Sequence, residues 1–66
     1  MNILVLGIGN AQVDLIKLLS EDHIVHALSY SRDGRGLEFA DYFKKIDIKD
    51  EKGVQNYAER HAIELI

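Results

Sequence analysis

The sequence predicts an α/β fold of Rossmann-like βαβ units: a four-stranded parallel sheet with two main helices, forming an incomplete fold. Three observations predict it. An apolar run, Ile3-Leu4-Val5-Leu6, stops at glycines and feeds directly into a helical pattern. Apolar strand-like segments and helical segments then alternate along the chain, and neither a proline nor an internal repeat interrupts them.

Ile3 to Leu6 form a continuous apolar run, as expected of a parallel strand covered on both faces. Gly7, Ile8, Gly9 and Asn10 make the turn that follows, with Asn10 placed to cap a helix through its short side chain. In that helix Ala11, Leu15, Ile16, Leu18 and Leu19 recur at the spacing of one face. Ser20-Glu21-Asp22 ends it, and the β-branched and aromatic segment 24–30 reads as a second strand. The glycine-containing segment 31–36 is a loop at that strand's carboxyl end, the edge where open α/β sheets bind ligands. Residues 37–40 suit a single helical turn and residues 42–47 a half-exposed third strand. Asp50 is the expected cap of a second helix whose apolar side carries Val54, Tyr57, Ala58, His61 and Ala62, with Gly53 weakening its first turn. Residues 63–66 would begin a fourth strand. Two helices cannot cover both faces of such a sheet, so a remaining domain, a partner subunit or a second copy is expected to complete it.

Composition bounds the function. A chain of 66 residues is at most one domain, and at about 60 residues only about 60% of the unfolded surface is buried on folding. Eight basic and eleven acidic side chains leave a net charge of −3, and no run of like charge exceeds a pair such as Lys44-Lys45. Nucleic acid, which demands clustered Lys and Arg, is therefore not expected as a partner. The absence of cysteine excludes a disulfide framework and thiolate metal sites, and it suits a reducing, cytoplasmic location. The opening apolar segment is too short to span a bilayer and lacks the basic start of a signal peptide, so no membrane association is expected.

A strand, a glycine turn and a helix N-terminus in succession form a cradle for an anion, because the first amides of the helix point outward without partners. Gly7 and Gly9 match the first two positions of the dinucleotide fingerprint G-x-G-x-x-G, but Gln12 stands at the third, where a small residue is needed. An NAD site would also need an acidic residue at the end of the second strand. That tip reads Ser29-Tyr30-Ser31-Arg32, with Asp33 too late, so NAD is disfavoured. Ser31 and Arg32 could instead hold the 2′-phosphate of NADP, and a half-Rossmann NADP module is the alternative reading. A solvated loop explains Arg32 and Arg35 equally well.

No metal site is expected, because alternation turns His23 and His26 to opposite faces and His61 reads as a packed or rim residue. Asp41, Asp47 and Asp50 read as strand-ending and capping residues rather than acid–base groups. Ser20, Ser29 and Ser31 lack the Gly-x-Ser-x-Gly setting of a nucleophile, so no catalytic residue is assigned.

Residues 3–12, Leu15-Ile16-Lys17, Ser29-Tyr30-Ser31, Leu37-Glu38-Phe39-Ala40-Asp41, residues 46–50 and residues 62–66 together resemble the start of ATP-grasp enzymes. The likeness is to the N-terminal pre-ATP-grasp domain of carbamoyl-phosphate-synthase-large-chain-like proteins and related carboxylate–amine ligases. It spans residues 1–66 and only the opening fraction of a family member, which implies a truncated domain. The resemblance implies a Rossmann-like domain that binds no dinucleotide and lines the acceptor-substrate side of a cleft. Gly7, Gly9, Asn10 and Gln12, with Ser29, Ser31 and Arg32 at the neighbouring tip, would meet a small carboxylate- or phosphate-bearing substrate. ATP and magnesium are expected on the later ATP-grasp domain, with no cofactor in this chain and no phosphoryl transfer by it alone. Gln12 and the Ala40-Asp41 pair fit the family's habit, whereas Asn10 and Ala11 are less usual there.

Overall fold

The computed structural model describes residues 1–65 and shows an α/β domain: a parallel three-stranded sheet with one helix on each face. In chain order the elements are β1 (Asn2–Leu6), α1 (Asn10–Leu19), β2 (Ile24–Ser29), a 3-10 helix (Arg35–Phe39), β3 (Tyr42–Lys45) and α2 (Glu51–Arg60). The strands lie in the order β1-β2-β3, with Leu4 opposite His26 and His26 opposite Tyr42.

The expected fourth strand is corrected. After α2 the chain returns to the other side of β1, where Glu64 N donates to Asn2 O at 2.9 Å and Leu4 N donates to Leu65 O at 2.8 Å. This makes one parallel bridge, Ile3 to Leu65, which is too little to count as a strand. Ile66 lies outside the described residues.

Side-chain alternation along β1 and β2 divides the interior into two layers. Ile3, Val5, Val25 and Ala27 face α1 and pack with Ile8, Ile16, Leu37 and Phe39. Leu4 and Leu28 face α2 and pack with Tyr57, Val54, Ala58 and Ile63. Burial on both faces is why these strands read as apolar runs rather than alternating ones. β3, at the sheet margin, turns only Phe43 inward and leaves Tyr42, Lys44 and Lys45 exposed, and its lysines discourage pairing with another edge. It stops at Lys45 rather than at Asp47, although Ile46 N still reaches Ser29 O at 2.9 Å.

α1 differs from expectation at both its face and its start. Its inward side is Gln12, Val13, Ile16 and Leu19, whereas Ala11, Leu15 and Leu18 are exposed. Five apolar positions make an arc wider than a single sheet layer can cover, so those off the centre line reach solvent. Gly9, in extended backbone, occupies the cap position, and Asn10 is the first helical residue. Starting the helix at Asn10 removes its side chain from the place where it could accept from the first turn.

α2 follows its sequence signals closely. The Asp50 carboxylate accepts from Gly53 N at 3.0 Å, capping the helix as expected. Asp41 and Asp47 serve the backbone similarly, accepting from Val25 N at 2.8 Å and Lys49 N at 2.9 Å. At the other end Ala62 N donates to Glu59 O and Ile63 N to Ala58 O, the paired bonds of a Schellman ending. The residue that must turn left-handed there is Ala62, at φ 54°, a position that favours glycine.

Two substitutions test this account of α2. Ala62→Gly relieves the left-handed strain and should raise unfolding stability by about 1 kcal/mol, net of the added freedom of the unfolded chain. Asp50→Ala removes the cap and should lower it by about 1 kcal/mol. Urea unfolding followed by circular dichroism measures both.

Candidate functional site

The carboxyl edge of the sheet brings Gly7, Gly9, Gln12 and Ser29, but not Ser31 and Arg32, to the turn between β1 and α1. Gly7 N donates to Leu28 O at 2.7 Å, which extends the β1–β2 ladder one residue into the turn. Gly7 then adopts φ 103°, a conformation open essentially to glycine, and the chain swings outward to start α1. Ile8 is buried to 2% exposure and anchors the turn in the core. Gln12 N bonds back to Gly9 O at 2.9 Å, while the amides of Asn10 and Ala11 have no partner among the described residues. Two N–H groups without a partner at a helix N-terminus are an arrangement able to accept an anion.

Gln12 supplies something the fingerprint comparison does not. Its carboxamide lies over the turn, 3.4 Å from the place a Gly7 Cβ would occupy and 3.5 Å from that of Gly9. A side-chain amide offers donors and an acceptor beside the backbone donors. Gly7, Gly9 and Gln12 therefore converge, and Asn10 sits exposed at their rim.

The β2 tip is built differently from a phosphate clamp. The ladder places Ser29 beside Gly7, buried to 7%, with its hydroxyl accepting from Ser31 N at 3.4 Å. The Ser31 hydroxyl accepts from Asp33 N at 3.0 Å. Arg32 lies over the Phe43 ring at 5.1 Å, a cation–π contact that draws it toward β3. The structure thus joins Ser29 to the glycine turn and commits Ser31 and Arg32 to local contacts.

The following loop braces the turn. Gly36 N donates to Ile8 O at 2.9 Å, and a Cβ on Gly34 would lie 2.5 Å from that same carbonyl oxygen. A concavity of about 550 Å³ opens on the α2 face between Leu6, Ile48, Val54, Ala58 and Ile63, with Glu51 and Glu59 at its wall. A largely apolar lining with two carboxylates does not suit an anion, and the glycine turn remains the candidate site.

One polar cluster escapes the sequence reading. His26 is buried to 3% on the α2 side of β2, bonded through Nδ1 to the Tyr57 hydroxyl at 2.7 Å and through Nε2 to Asn2 Oδ1 at 3.1 Å. Tyr42 stacks on the imidazole at 4.9 Å between ring centroids, and His61 stacks on Tyr57 at 4.1 Å. Burial holds the His26 pKa below the ordinary imidazole value; His61 lowers it further and Asp41 opposes. Burial, with Tyr42 nearby, raises the Tyr57 phenol. The available signal was a lone histidine inside an apolar strand together with a tyrosine on the inward face of the last helix. His61 sits on the rim as expected. Among the described residues no group of three His, Cys, Asp or Glu could hold a metal ion, and no helix is long and apolar enough to cross a membrane.

The brace is testable at Gly34. Gly34→Ala forces a methyl against the Ile8 carbonyl and should destabilise the fold by about 1–3 kcal/mol in urea unfolding. Amide resonances of Gly7, Ile8 and Gly9 should shift along with it.

Comparison with known proteins adds no family or relative: no family model, no curated protein and no solved structure matches this chain.

Proposed function

We propose that this chain is the N-terminal, substrate-binding domain of an ATP-grasp ligase, a carboxylate–amine ligase of the carbamoyl-phosphate-synthase-like kind. Gly7, Gly9, Asn10 and Gln12 hold the carboxylate or phosphate of a small substrate. The observation that carries this reading is the glycine turn itself. It presents the unpartnered amides of Asn10 and Ala11 next to glycines that the Gln12 carboxamide covers, at the sheet edge where α/β folds bind ligands.

The chemistry divides accordingly. The turn contributes binding and orientation: backbone N–H groups and the positive end of α1 fix an anionic group before reaction. ATP and magnesium belong to the remaining ATP-grasp domain, which would activate the carboxylate as an acyl phosphate for attack by an amine. Gly7 to Gln12 carry no lysine or hydroxyl that could serve the phosphates and metal of a nucleotide. The absence of cysteine supports a cytoplasmic setting. The NADP alternative draws less support from the β2 tip, since Ser31 accepts from Asp33 N and Arg32 lies over Phe43.

Titrating the ¹⁵N-labelled chain with acetate and with inorganic phosphate tests the cradle. The Gly9, Asn10, Ala11 and Gln12 amides should shift saturably, and Gln12→Ala should weaken that binding several-fold. Unmoved amides at tens of millimolar anion would remove the cradle reading. The ligase reading is tested separately, by asking whether the reading frame beyond Ile66 encodes an ATP-grasp domain and whether its product releases ADP only with both a carboxylate and an amine.

A further inference from the structure

The His26 cluster lies on the opposite face of the sheet from α1 and takes no part in the glycine turn. It joins every element on its own side. Asn2 reaches the ring from β1, Tyr42 covers it from β3, Tyr57 bonds it from α2, and His61 at the end of α2 lies 5.4 Å away between ring centroids. Tyr57 is also the buried residue of α2; Val54 and Ala58 are half-buried. We propose that His26 is an acid-sensitive latch that fastens α2 to the sheet, independently of any ligand at the glycine turn.

The neutral ring makes both hydrogen bonds with its partners as they stand. Asn2 Oδ1 can only accept, so Nε2 carries the proton and Nδ1 accepts from the Tyr57 hydroxyl. Protonating Nδ1 sets one donor against another, so the tyrosine must turn its hydrogen away inside a buried contact. The added charge meets neutral partners at both nitrogens. His61 faces it from the end of α2, and Lys44 from β3 and Arg60 from α2 line the adjoining cavity of about 200 Å³ with Tyr57 and His61. One carboxylate opposes this. Asp41, before β3, favours the charged ring but is engaged by Val25 N. Glu64 lies opposite Asn2 in the bridge register, on the same face of the sheet.

The sign follows from linkage. The His26 pKa is lowered in the folded chain, so its contribution is complete above the ordinary value of 6.5 and is lost as pH falls from there through the folded-state value. Because the contact that must reverse belongs to Tyr57, the loss falls first on α2.

Hydrogen exchange of α2 amides, divided by that of α1 amides at the same pH and corrected for intrinsic rates, reads the latch directly. Between pH 7.5 and 5, relative protection of α2 should fall, by up to tenfold for each unit by which the folded His26 pKa lies below 6.5. His26→Gln should flatten that dependence. Tyr57→Phe keeps the ring and removes the hydroxyl; it should lower α2 protection at pH 7.5 and move the imidazole titration of His26 by NMR. A pH-independent ratio in the native chain would overturn the latch, as would equal loss of protection in α1 and α2. An unchanged slope in a folded His26→Gln chain overturns it too, and the native ratio with Tyr57→Phe decides the matter should that variant not fold.

Discussion

The double burial of β2 is the constraint on which the rest of this small fold depends. Flanked by β1 and β3 and covered on both faces, it has five successive buried residues, Val25, His26, Ala27, Leu28 and Ser29. Such a strand must satisfy every polar group from within the protein. Each solution ties down another part of the chain. Val25 exchanges bonds with Asp41, through its amide to the carboxylate and its carbonyl to the Asp41 amide, which fixes the start of β3. Leu28 O holds Gly7 N, Ser29 O holds Ile46 N, and the His26 ring holds Asn2 and Tyr57.

The glycine turn inherits its rigidity from that strand. Its first residue is bonded to β2, and its middle residue, Ile8, is buried and bonded through its carbonyl to Gly36. The amides of Asn10 and Ala11 are thus held in place, so an anion bound there would not bear the cost of ordering a loop. Bracing also explains the absence of side chains at positions 34 and 36, where a Cβ would collide with the Ile8 carbonyl or the Ile16 side chain.

The α/β class, both long helices, the Asp50 cap and the opening strand and turn were legible because each rests on local pattern: apolar runs, helical spacing, a capping residue. What escaped depends on contacts between distant segments. Leu15 and Leu18 share the apolar spacing of α1, yet which of its apolar residues face inward is decided by where the helix meets β1 and β2. Asn10 is a good capping residue by type, but the Gly7 backbone sets where the helix begins, one residue early for that role. Gln12 read as a misfit in a fingerprint and lies over the glycines. The partners of His26 come from residues 24 positions before it and 31 after it, separations that no local window spans.

β1 connects the two proposed features at its two ends. Asn2 at its start supports His26 on the α2 face, and Gly7 just past its end begins the turn on the α1 face, roughly 16 Å away at about 3.3 Å per residue. Between them runs the β1–β2 ladder, with Ile3, Leu4 and Val5 buried. Release of α2 would expose Leu4, Leu28 and Tyr57 while leaving that ladder and the Ile3, Val5, Ile8 and Ile16 layer in place. The two layers share strands but not side chains. A change on the α2 face can therefore reach the glycine turn only by disturbing backbone pairing, which is costlier than undocking one helix whose contact with the sheet rests on Tyr57 and the half-buried Val54 and Ala58.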